Sequence, residues 1–358
     1  LRSRRRISFA DMAPPRDSTD MDSLHIVVCE DGDAHAQAVA ASYAFAIDAG
    51  LCVIPEYPRD EADDMLEALY GVSEAPAPAA RLAELRNVLR ERVGDLGLRR
   101  RVLTFVTAKL PWGLAFGDVA STHLFRYPDL GVAIVNGIVA EQDEAPGIRS
   151  AVVVSPHSCD AADAQTALVR LTGLGVLSKA LRGRVATVHQ ASKTITMFPY
   201  DLLLIATHCS DAPGYRCTYE FADSDGRERR LVVDQAVGAE IAPPGQYVQV
   251  TEFNSFVSLD GLDWTDREGK AALPVGAAIT SFFALHHEDR IEPIRREPIE
   301  RVRASMALRM ADENYIALPY ALASGGSPII VNNSCGSWHR LAETFVASGA
   351  RCYIGTLF

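Results

Sequence analysis

The chain has 358 residues, 48% of them hydrophobic, enough for a large core in two domains or one elaborated domain. A formal charge of −11 argues against a nucleic-acid surface as the main purpose and suits a basic partner or substrate better. Seven cysteines without a repeated spacing do not form the dense framework of a small secreted domain, and no apolar run approaches the roughly 18 residues of a membrane span, so a reduced, cytoplasmic protein that does not enter the membrane is expected.

Residues 1–21 mix Arg, Asp, Pro and Ser without periodicity and read as a disordered tail, with no hydrophobic stretch after Arg6 to make a signal peptide. The chain starts without Met and stops directly after a strand, as a fragment would. From 22 to 145 the pattern is an α/β module. A buried strand at Leu24–Cys29 leads to an Ala-rich helix over 34–49 and a second strand over 51–56. Helices are predicted over 60–70 and 80–93, and strands over 102–108 and 132–139, with a long loop between those two strands. Asp31 and Asp33 suit either a cation or plain solvation. His123, in an apolar setting, reads as a hydrogen-bonded packing residue.

The segment 141–149, charged and containing Pro and Gly, is the expected linker. A second α/β unit follows over 150–358. SAVVVSP is a strand, and the helix after it takes Asp160 as N-cap. VATVH, 185–189, reads as a strand, and YDLLLIATHC, 200–209, as a central parallel strand that delivers His208 at its C-terminal end. Residues 216–236 form a hairpin turning at Asp225-Gly226. An insertion over 237–326, with helices over 274–287 and 298–311, separates this from the last unit and suits a lid or regulatory element. Within it, His286 to Asp289 is a solvated helix end. The chain closes with strand, turn and amphipathic helix, SPIIVNNSCGSWHRLAETFVASG, and a final strand.

Cys335 sits in that turn, at the C-terminal end of a strand and ahead of a helix, where open parallel sheets place their sites and where a helix dipole favours thiolate. His208 supplies a base. Together they can hydrolyse an amide: Cys335 as nucleophile, His208 as acid and base, and the backbone N–H groups of Cys335 and Cys209 as oxyanion donors. An acidic wall beside them would select Arg or Lys, with Asp160 and Asp211 as candidates, and Asn333 could orient His208, line the pocket or stabilise the turn. Cys209, Cys217 and His339 lack the spacing of a zinc site, so neither metal nor cofactor is expected.

DLLLIATHC, IIVNNSCGS and LAETFVASGARCYIGTLF, in that order, resemble the CHAT subfamily of caspase-like cysteine peptidases over roughly residues 150–358, with 237–326 loosely matched. Gly349, Ala350 and Ile354 to Thr356 match the family's closing strand. The resemblance implies a caspase-like, mostly parallel sheet flanked by helices and a peptidase acting on a protein substrate. It also implies silence until an activating protein or ligand rearranges the insertion, and a bacterial defence or cell-death setting. The preceding module would be regulatory, substrate-presenting or a pseudo-peptidase. Two departures stand out: Cys209 replaces the Gly usual after the His, and the chain ends before the family's further helical segment. The alternative is a catalytically silent scaffold of the same fold that binds a partner.

Overall fold

Apolar runs bounded by turn formers become parallel strands in both halves of the computed structural model, which describes residues 23–94, 102–108, 110–125, 132, 136, 147–157, 161–242, 248–316, 321–323, 327–338 and 340–356. The tail expected over 1–21, most of the linker expected over 141–149, Asp160 and His339 lie outside the described residues. Two compact units divide the chain between Gly131 and Val132, ahead of that linker.

The first unit runs β1 (His25–Glu30), α1 (Ala34–Ala46), β2 (Gly50–Ile54), α2 (Arg59–Tyr70), α3 (Pro78–Val93), β3 (Val102–Thr107) and β4 (Ala120–Phe125). Its sheet order is β2-β1-β3-β4, parallel throughout. Val27, Val28 and Cys29 are fully buried because helices cover the sheet. Asp33 caps α1, its carboxylate accepting from the N–H groups of His35 and Ala36. Strand β4 lies in the stretch expected as loop. Its short, polar ASTHLF carries little apolar signal, and a single 3-10 turn at Trp112–Phe116, with Trp112 fully buried, makes the crossover from β3. The strand expected over 132–139 is not supported where it can be seen, since Val132 and Asn136 are helical.

The second unit begins with β5 (Ser150–Ser155), α4 (Ala161–Gly173), β6 (Leu177–Arg182), α5 (Val188–Met197) and β7 (Leu202–Ile205). The antiparallel segment follows: β8 (Cys209–Asp211), β9 (Gly214–Ala222), β10 (Glu228–Ile241), β11 (Val248–Leu259), β12 (Leu262–Asp263), α6 (Arg267–Ala272), α7 (Val275–His287), β13 (Arg295–Ile299), β14 (Met306–Arg309) and β15 (Asn314–Tyr315). The chain then returns to the parallel sheet with β16 (Ile329–Asn332), α8 (Arg340–Ala347) and β17 (Cys352–Gly355). That sheet has the order β17-β16-β7-β5-β6, all parallel. Leu203, Ile205 and Ile330 are fully buried at its centre, each such side chain stabilising the fold by about 1.5–3 kcal/mol. The hairpin expected over 216–236 and the insertion over 237–326 together build a second sheet, β12-β11-β10-β9-β13, and β8 joins two strands of the insertion in a small third sheet, β15-β14-β8.

Two expectations are corrected here. VATVH is no strand: Thr187 accepts a hydrogen bond from the N–H of Gln190 and starts α5, while the neighbouring strand is the half-exposed edge segment LSKALR of β6. Residues 298–311 are not helical but hold the end of β13 and all of β14. Pro298 is tolerated because β13 is an edge strand. Among the described residues no helix is long and apolar enough to cross a membrane.

Candidate active site

Val154 of β5, Ile205 of β7 and Asn332 of β16 are register partners at the C-terminal end of the parallel sheet. Each is followed three residues later by a side chain able to move a proton or attack a carbonyl: His157, His208 and Cys335. Neighbouring strands are spaced by about 4.8 Å. The order β16-β7-β5 therefore sets the three strand ends in a row, with that of His208 in the middle. His208 and Cys335 are both exposed to solvent.

The turn carrying Cys335 is held by a buried polar network. Asn332 accepts from the N–H of Ser334 through Oδ1 (3.1 Å) and donates through Nδ2 to the Tyr353 hydroxyl (2.9 Å). That hydroxyl donates to the carbonyl of Ser337 (2.9 Å), and the Ser337 hydroxyl donates to the carbonyl of Asn332 (3.0 Å) and accepts from the N–H of Thr356 (3.1 Å). The Thr356 hydroxyl closes the network on the carbonyl of Ser334 (2.6 Å). Asn332, Ser334 and Ser337 are fully buried, so these bonds fix the backbone around an exposed thiol. Gly336 turns the chain with φ of 68°, and Gly355 lets the Trp338 backbone approach to where a Cβ would meet its Cα at 2.5 Å. The helix expected after the Cys335 turn starts at Arg340.

His208 follows β7 by three residues and precedes β8. Its carbonyl accepts from the N–H of Arg309 (2.9 Å), continuing the β8–β14 ladder in which Cys209 faces Leu308. Alternate residues of an antiparallel ladder turn their amides to the partner strand. Since His208 does so, the amide of Cys209 turns away from β14. The Cys209 side chain faces the other way, into the main core, where burial above all pushes its thiol well above the usual range, with the charges of Asp211 and Cys335 adding to it.

The remaining pocket candidates fare differently. Asp211 lies on β8, but its carboxylate is only 4% exposed and is bonded to Nε of Arg301 at 2.8 Å, so it is an ion-pair partner and not a bare acidic wall. Asn333 is exposed, and its backbone N–H donates to the carbonyl of Ile205 (2.8 Å), tying the Cys335 turn to β7. Sequence reasoning missed His157. The signal was there: SAVVVSPH, LLLIATH and IIVNNSC repeat one interval between a buried run and a reactive side chain. Among the described residues the six cysteines are free and no group of three or more His, Cys, Asp or Glu is arranged to hold a metal ion.

No family model, curated protein or solved structure matches this chain.

Proposed function

We propose that the second unit is a cysteine endopeptidase, with Cys335 as nucleophile and His208 as general acid and base. The observation that carries this reading is the shared register: two exposed groups of complementary chemistry stand three residues beyond paired positions of adjacent parallel strands. The resemblance of the IATHC, NNSCGS and IGT segments to CHAT-type caspase-like peptidases supports it. The reaction passes through a thioester. His208 takes the Cys335 proton as sulfur attacks the scissile carbonyl carbon, and the amides of Cys335 and Cys209 stabilise the oxyanion. His208 then protonates the leaving amine as the C–N bond breaks. Water attacks the thioester, gives a proton to His208, and the acid leaves as the proton returns to sulfur.

The substrate is a protein, the site needs neither metal nor cofactor, and the setting is cytoplasmic and bacterial, in defence or cell death. The inserted antiparallel sheet is the element through which an activating protein or ligand would act. A scaffold reading has one observation in its favour: Val237, Ile241, Val248 and Val250 are 48–60% exposed, and the β10–β11 register sets them on one face of the ribbon, as a protein-binding surface would require.

Incubation with a peptide library and candidate companion proteins separates the two. Cleavage by the wild type that falls about a thousandfold or more in Cys335→Ala and His208→Ala is expected of the dyad. Equal cleavage by all three proteins would exclude it.

A further inference from the structure

We infer that His157 is a positioning residue for the proposed dyad, a role that rests on that reading and extends it. Its imidazole lies beside that of His208, with ring centroids 5.4 Å apart and planes tilted by 37°. The strand order places the β5 end that carries His157 on the side of β7 opposite to β16, which carries Cys335. The His157 ring therefore stands beside the His208 ring, at the end of the strand that flanks β7 opposite the thiol's strand.

The His157 ring is itself anchored. Nε2 of His157 lies 3.1 Å from the carbonyl oxygen of Arg309. A carbonyl only accepts, so Nε2 carries a proton and donates it. The same carbonyl accepts from the hydroxyl of Thr207, and the N–H of Arg309 donates to the carbonyl of His208 at 2.9 Å. The His157 imidazole and the His208 backbone are thus tied to one peptide segment of β14, whose neighbours Leu308 and Met310 are buried. Side chains choose among three staggered χ1 wells, and His208 is exposed and sits outside any strand. A ring beside it removes the wells that swing the imidazole toward β5.

The test needs no knowledge of the substrate. The full chain is treated with iodoacetamide at neutral pH, and alkylation of Cys335 is followed by mass spectrometry of its peptide, with exposed Cys352 as internal reference and buried Cys217 as a monitor of unfolding. His157→Phe keeps a ring and loses the tether, whereas His157→Gln keeps a donor for the Arg309 carbonyl and loses the ring. The expected result is a Cys335 rate within about twofold of wild type for Phe and about tenfold slower for Gln, approaching that of His208→Ala. A Gln variant as fast as wild type, or a Phe variant as slow as Gln, overturns the role of His157 while a slow His208→Ala leaves the dyad standing. A His208→Ala protein that alkylates at the wild-type rate removes the dyad reading itself, and the positioning role with it.

Discussion

Both units carry a parallel sheet whose strands end in polar residues, but the two edges use those residues in opposite ways. In the first unit Glu30, at the end of β1, is turned inward: Oε2 accepts from the N–H of Ala108 at 2.9 Å and Oε1 from Nε1 of Trp112 at 3.2 Å. Asp31 accepts from Gly32 and Gln37, and Asp33 caps α1. In the second unit Asn332, Ser337, Tyr353 and Thr356 bond one another and the backbone of the Cys335 turn beneath the surface, with the Cys335 and His208 side chains exposed. A sheet edge can serve as a site when a rigid inner layer supports exposed reactive side chains above it. Where the strand-end side chains are themselves the inner layer, the edge is structure.

The sharpest test of that contrast is Glu30→Ala against His208→Ala. Burial raises the Glu30 carboxyl above its ordinary value in spite of the donors around it, Ala108, Trp112 and Tyr57. Truncation orphans the N–H of Ala108 and the indole N–H of Trp112. We expect a loss of about 2–4 kcal/mol from the first unit, read as reduced hydrogen-exchange protection of the β1 and β3 amides. His208→Ala, an exposed change, should alter protection of the β7 and β16 amides by no more than about 0.5 kcal/mol. A destabilisation by His208→Ala as large as that by Glu30→Ala would make both edges structural.

What the sequence makes legible follows the same division. The central strands β1, β3, β5, β7 and β16 announce themselves because a strand buried on both faces must be apolar throughout. Edge strands need no such run: β4, β6 and β13 read ASTHLF, LSKALR and RREPI, and the sequence marks β4 as loop, leaves β6 unassigned and runs a helix over the end of β13. VATVH imitates a buried strand, but Val185 closes an exposed 3-10 turn and Val188 opens α5, where it packs into the core with Ala191. Cys335 and His208 can be picked out because each closes an apolar run. His157 closes one as well, but its value depends on strand order: only when β5 is known to lie beside β7 does its ring become a neighbour of His208.

His123 gives a second way to probe the inward-facing edge, through pH. It lies on β4, stacked on Phe105 with centroids 5.2 Å apart, and its Nε2 accepts from the N–H of Gly113 at 3.1 Å, which requires a neutral ring. Burial pushes its pKa down from 6.5 to about 4. As pH falls from 6.5 the unfolded chain takes up this proton and the folded chain does not. Stability is therefore present above 6.5, declines through the window down to about 4, and levels off below it. Allowing for the partial exposure of the ring, the loss should be about 2–3 kcal/mol. The measurement is the difference between wild type and His123→Gln in β1 and β3 amide protection at neutral and acidic pH. Glu30, whose raised pKa gives the opposite trend, is common to both proteins and drops out. Equal pH dependence in the two would mean that the imidazole is open to solvent and that this edge resembles the other more than its hydrogen bonds imply.

Asp33→Ala should have the smallest effect and bears most directly on whether the first unit's edge is a site. Asp31 and Asp33 flank Gly32, whose φ of 90° folds them into a tight loop that would suit a divalent cation if their oxygens were uncommitted. They are committed: Oδ1 of Asp33 accepts from the N–H groups of His35 and Ala36 at 3.0 and 3.3 Å, and Oδ1 of Asp31 accepts from Gly32 and from Gln37 at 2.9 Å. Loss of the cap should cost about 1 kcal/mol, seen as fraying of the first turn of α1. Added Mg²⁺ or Ca²⁺ should leave protection of that turn unchanged in wild type and variant alike. A ligand bound only to the folded state would instead raise protection in proportion to RT ln(1 + [L]/Kd). A cation-dependent rise in wild type that Asp33→Ala abolishes would turn this edge into a binding site and erase the distinction between the two sheets.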